Sequence, residues 1–209
     1  MDLKCEIRVG PSPYGDVVPQ AMFNQLAMEL IEYAGFLIEE GCERYDFPKE
    51  SFGLCVLDPV SPGRWPSSEC VLVTAAIGDD GRLYVANAID KAVRSRNAGE
   101  EWGKVLYTQP HRIPGGAFRW GYAANVNGTI VGGSAQSQKQ DQKVCESVAT
   151  EYNYRVARAF EQWEQDHPRK KEDGTSHSWF TDSGVAPGWL QNHPMNAFDG
   201  DEGIIRLNF

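Results

Sequence analysis

The chain has 209 residues, 41% hydrophobic and 23% charged, with a formal net charge of −9. That is the composition of a globular protein able to bury its own core. Acidity with no basic block longer than the Arg-Lys-Lys at 169–171 argues against a nucleic-acid binder, which needs a basic footprint, and against a partner for anionic membranes. The opening MDLKCEIRVG lacks the apolar core of a signal peptide, and no apolar run approaches the roughly 20 residues that span a bilayer, so a cytoplasmic location is expected. The five cysteines are odd in number, scattered and without a CxxC pair, which predicts reduced thiols and no zinc site.

In chain order, residues 1–18 read as an irregular lead rich in Pro and Gly. From Pro19 to Gly41 the apolar Phe23, Leu26, Ala27, Leu30, Ala34, Leu37 and Ile38 recur at steps of three and four, the period of a helix buried on one side. FGLCVL at 52–57 predicts a buried strand. CVLVTAAI and RLYVA flank Asp80-Gly81, which predicts a hairpin, because Asp-Gly tolerates the positive φ such turns need. A helix follows, capped by Asn87, with Ile89, Ala92 and Val93 inward, and then a further helical turn or two through EEWGKVLY. A second hairpin is expected where AFRWGYAANV and TIVGGSAQ flank Asn127-Gly128. A long helix starting at Asp141 carries the stripe Val144, Val148, Tyr152, Val156, Phe160 and Trp163, and Pro168 limits it. The organisation is thus a lead (1–18), an α+β domain (19–165) of antiparallel strands with helices packed on them, and an extended, irregular, aromatic-rich C-terminal arm (166–209).

Three short stretches resemble the GlcG/HbpS-like family of haem-degrading domains. NAIDKAVRSRNAG is similar to the family helix with its KA..A core, at Lys91 and Ala92. Pro114, Gly115 and Gly116 are similar to its glycine pair before the last hairpin. NGTIVGGSA…QD is similar to G..VGA.GVSG…QD, on Gly128, Val131, Gly132 and Asp141. The resemblance covers roughly residues 19–163. The segment between Pro-Gly-Gly and Asn-Gly is longer than usual in the family, the one between Gly132 and Asp141 is shorter, and the arm has no counterpart. What the resemblance implies is a profilin-like α/β sandwich, a homo-oligomer, and haem or a related tetrapyrrole as ligand in some members.

The glycines of residues 113–141 match neither G-x-x-x-x-G-K-[ST] nor a G-x-G-x-x-G that opens a helix, so they are not a phosphate loop. Gly132 in a strand marks the close approach of another backbone or of a ligand. His111 is a candidate acid/base group, or a metal ligand if haem is bound, and Arg112 a candidate anchor for a carboxylate. Glu101, beside Glu100 and Trp102, is a second candidate acid/base group. Tyr107, Phe118, Trp120 and Tyr122, with Gly115 and Gly116, complete the candidate wall of a ligand site; in an extended strand the last three aromatics share one face. The sequence holds no catalytic dyad or triad. Three functions are open: binding of haem or another small planar or aromatic molecule, an enzyme of specialised or aromatic metabolism that uses the same pocket without haem, and an oligomeric accessory subunit.

Overall fold

The computed structural model describes residues 4–60, 65–100, 102–113, 122–170 and 176–177. The chain divides into two compact units, Met1–Ala159 and Phe160–Phe209. The first unit is α+β. Its strands are β1 (Cys5–Val9), β2 (Phe52–Leu57), β3 (Val71–Ile77), β4 (Ala123–Val126) and β5 (Thr129–Ser134). They form one antiparallel sheet in the order β1-β3-β2-β5-β4. Its helices are α1 (Gln20–Arg44), α2 (Arg82–Ala98), α3 (Trp102–Thr108) and the greater part of α4 (Gln138–Asp166).

The sheet is covered on both faces, which explains why all six residues of β2 are buried. Alternation along β2 sends Gly53, Cys55 and Leu57 to one face and Phe52, Leu54 and Val56 to the other. On the first face Cys55, Leu57 and Ile130 pack with Ala88 and Ala92 of α2. On the second lie α1, over β1 and β3, and α4, whose Cys145 faces Phe52 across Gly133. Glu29 of α1 and Arg155 of α4 form an ion pair, and Tyr14, which meets Phe23 edge-on, shares a 2.8 Å hydrogen bond with the Tyr152 hydroxyl.

The approach of α2 to the sheet depends on two glycines. A Cβ on Gly53 would lie 2.4 Å from the Tyr84 carbonyl carbon, and one on Gly132 would lie 2.1 Å from the Ala88 carbonyl oxygen. At these two points the helix rests backbone against backbone on β2 and β5. The Asn127-Gly128 hairpin joins β4 to β5 with both residues at positive φ, 52° and 90°, as a type I′ turn requires.

Five local expectations are corrected. RLYVA is not a strand: α2 begins at Arg82, and Gly81 is helical at φ −53°, ψ −37° rather than in a hairpin turn. The place beside β3 that such a strand would fill is taken by β1, which lies in the lead expected to be irregular. Asn87 consequently sits inside α2 and caps nothing. Helix α1 runs three residues beyond Gly41, and α4 starts at Gln138, which places Asp141 in its first turn.

In the second unit, the end of α4 stacks Trp163 on His167, with ring centroids 4.6 Å apart, and Arg169–Lys170 pairs antiparallel with Ser176–His177. The aromatics expected in the rest of the arm lie outside the described residues. Among those described, no helix is long and apolar enough to cross a membrane.

Candidate functional site

Of the sequence-nominated residues, Tyr107, His111, Arg112, Tyr122 and Gly132 are described, and they lie toward the β4 edge of the sheet. Helix α3 follows α2 after Gly99, whose left-handed φ of 71° ends α2. Val105 of α3 and Ala123 of β4 are fully buried against each other, with Ala98 and Ile113 packed around them. This small apolar cluster holds the connector that carries Tyr107, His111 and Arg112. A Cβ on Gly103 would lie 2.3 Å from the Tyr122 ring, so that ring packs directly against α3 at Gly103 just before β4 begins.

Within this cluster the side chains differ in what they can offer. Tyr107 is 81% exposed, and His111 is exposed on a single 3-10 turn, Pro110–Arg112. Arg112 also holds its own segment in place. Its guanidinium donates to the Gln109 side-chain oxygen and to the Asn97 carbonyl, each at 2.7 Å, and so fastens the connector to the C-terminal end of α2. The Glu100 carboxylate accepts from the Thr108 hydroxyl at 2.7 Å, and its carbonyl accepts from Ser95. Gly132 stands opposite Ala123 in the β4–β5 register, but the space above it is filled by Ala88 and Ala92 of α2. Glu101, Gly115, Gly116, Phe118 and Trp120 lie outside the described residues. No group of three or more potential metal-ligating side chains occurs among those described.

The structure adds a pair to which the sequence assigned no role. Lys91 of α2 and Asp141 of α4 are each 4% exposed at the side chain and meet at 2.7 Å. The same ammonium donates to the Gly133 carbonyl at 2.7 Å, and the Asp141 carboxylate accepts the Gln136 backbone N–H at 2.9 Å. One ion pair thus joins α2, the end of β5 and the start of α4. Burial pushes the Asp141 carboxyl above its ordinary value, opposed by Lys91 and by the backbone N–H groups of Gln136 and Ala135. A buried, fully partnered pair of this kind fixes architecture rather than meeting substrate. The available signal was a lysine one residue from Ala92 on the inward side of a helix, where a solvated cation does not belong.

The five cysteines are free, with Cys55, Cys70 and Cys145 buried. Burial raises the Cys55 thiol to about 12 and raises that of Cys145 as well, the neighbouring Asp141 adding to it. Both are held as unreactive thiols. Comparison with family models, curated proteins and solved structures gives no match to this chain.

Proposed function

We propose that the chain is a small-molecule-binding protein of the GlcG/HbpS-like kind, which takes a planar ligand at the β4 edge and assembles as a homo-oligomer. The observation that carries this reading is the Lys91–Asp141 pair. The helix and the strand-to-helix stretches that resemble the family are distant in sequence, yet the two charged residues that mark them meet in one buried contact. The contact supports the reading because it brings the two stretches side by side in the fold.

At the β4 edge, Tyr107 offers an exposed ring and His111 an exposed imidazole one turn later. That is a minimal fit to a flat, partly polar ligand, with the aromatic face for stacking and the ring nitrogen for a polar or metal contact. Haem is the first ligand to test. His111 would hold its iron, and the haem would supply the redox chemistry. Arg112 donates to Gln109 and Asn97, which leaves further N–H groups of its guanidinium for a carboxylate of the ligand.

The experiment is titration of the purified protein with ferric haem, followed by its Soret band and by native mass spectrometry. A stoichiometric, red-shifted band that His111→Ala removes, with thermal stability changed by no more than about 0.5 kcal/mol, is the expected result. Equal haem binding by parent and His111→Ala protein refutes the assignment of His111. Absence of binding by either removes haem from the proposal.

A further inference from the structure

At the opposite edge of the sheet, on the face that carries α2, β1 and β3 extend beyond the helix and leave a cleft of about 540 Å³. That volume lies in the range of small-molecule sites. Its floor is Thr74 and Ala76, and its apolar wall is Val85, Ala86 and Ile89 of α2. Arg8 and Thr74 are direct cross-strand partners, so their side chains rise from the floor together.

The charges lining the cleft do not cancel. Glu6 is occupied by Arg82, which donates to both of its carboxylate oxygens at 2.6 Å. That contact holds the Glu6 carboxyl below its ordinary value, with Arg8 adding to the pull. Among the described residues, neither the Arg8 guanidinium nor the Thr74 hydroxyl has a hydrogen-bond partner. The cleft therefore presents one surplus cation and one spare hydroxyl, side by side, at the end of an apolar trough in a chain whose net charge is −9.

We propose that this cleft binds a small organic carboxylate, its carboxylate held by Arg8 and Thr74 and its apolar body laid along Val85, Ala86 and Ile89. A planar guanidinium matches a carboxylate in fork geometry, and an adjacent hydroxyl fixes which way the group faces. A polyanion fits poorly, since only one guanidinium is unpaired and the rest of the molecule repels it. The apolar wall gives a ligand with a hydrocarbon or aromatic body an advantage over a bare anion. This site is separate from the β4 edge and stands or falls independently of the reading given for it.

The test is a backbone-amide NMR titration of the whole chain with benzoate, using benzamide and inorganic phosphate as controls. Saturable benzoate shifts at Arg8, Thr74, Val85 and Ile89 are expected. Benzamide and phosphate should each bind at least about tenfold more weakly, as expected if both the charge and the apolar body contribute. Arg8→Gln should weaken benzoate by about tenfold and Arg8→Lys by less, since a lysine keeps the charge but loses the fork. Arg8 is exposed on an edge strand, and an unchanged melting temperature confirms that each variant is folded. Benzoate shifts elsewhere, equal affinity for benzamide or phosphate, or undiminished binding by Arg8→Gln overturns the proposal.

Discussion

Replacing Lys91 by methionine isolates the contribution of the buried ion pair. The change keeps the length and apolar stem of the side chain and deletes the ammonium. Two acceptors then lose a donor: the Asp141 carboxylate and the Gly133 carbonyl, each 2.7 Å from Nζ. Asp141 retains the Gln136 N–H at 2.9 Å but remains 4% exposed at the side chain. Breaking one half of such a pair costs about 3–5 kcal/mol, because the other charge stays buried without its counterion. For a protein of this size that corresponds to a fall in melting temperature of roughly 6–20 °C. Burial already raises the Asp141 carboxyl, and loss of Lys91 removes the strongest opposing pull, so its value rises further in the variant. A raised carboxyl stabilises the fold below its unfolded value of 3.8 and loses that contribution as pH climbs through the folded value. The deficit of Lys91→Met should therefore be largest at neutral pH and shrink as the solution is acidified. Adding Asp141→Asn, which keeps an acceptor for Gln136 and discards the charge, should recover at least about 1 kcal/mol. Urea denaturation at pH 7 and pH 5 measures the parent, the single variant and the double variant. A cost below about 1 kcal/mol for Lys91→Met, or no recovery in the double variant, would show that the pair does not hold α2, β5 and α4 together.

Three other substitutions, one of them read through a pH titration, extend the argument. Gly132→Ala should destabilise by about 1–3 kcal/mol in thermal unfolding, because its Cβ would sit 2.1 Å from the Ala88 carbonyl oxygen. Gly35→Ala, in the interior of α1 with no atom within 4 Å of the new methyl, should instead stabilise by about 0.5–1 kcal/mol; the same sign for both would undo the account of how α2 is seated. Stability should fall as pH rises above the ordinary thiol value of 9.0, by up to about 1.4 kcal/mol per pH unit for each thiol whose ionisation burial suppresses. The interval from pH 9 to 10 precedes Tyr14 and Tyr152, whose ordinary value of 10.0 burial also raises; Cys55→Ala should flatten the slope there, and an unchanged slope would mean Cys55 ionises in the folded state.

The helical stripe of α1, the buried strand β2 and the Asn127-Gly128 hairpin were legible because each is decided locally, by period or by turn chemistry. The misreadings of RLYVA and of the lead have one cause. Tyr84 and Val85 are good strand formers, but the edge of β3 they would have joined is occupied by Cys5–Val9, a choice made by residues distant in sequence. The sequence contained the alternative signal, since Ala88, Ala92 and Ser95 continue from Val85 at helical spacing. At the candidate site, proximity in sequence placed Tyr107, His111 and Arg112 together, but it gave no means of seeing that Arg112 donates to Asn97. Glycine count alone did not separate the two roles proposed for Gly132, because the residue that decides between them is Ala88, on another element.

The glycine seat of α2 bears on how the chain folds. Gly53 comes from β2 and Gly132 from β5, strands that pair directly yet lie far apart along the chain. The full seat of α2 exists only once that long loop has closed, so the contacts of the helix help to offset the closure entropy. Helix and strand pair are thereby bound into one cooperative step. Amide hydrogen exchange tests this directly: the protected amides of α2 and β5 should open with the same free energy and respond alike to Gly132→Ala.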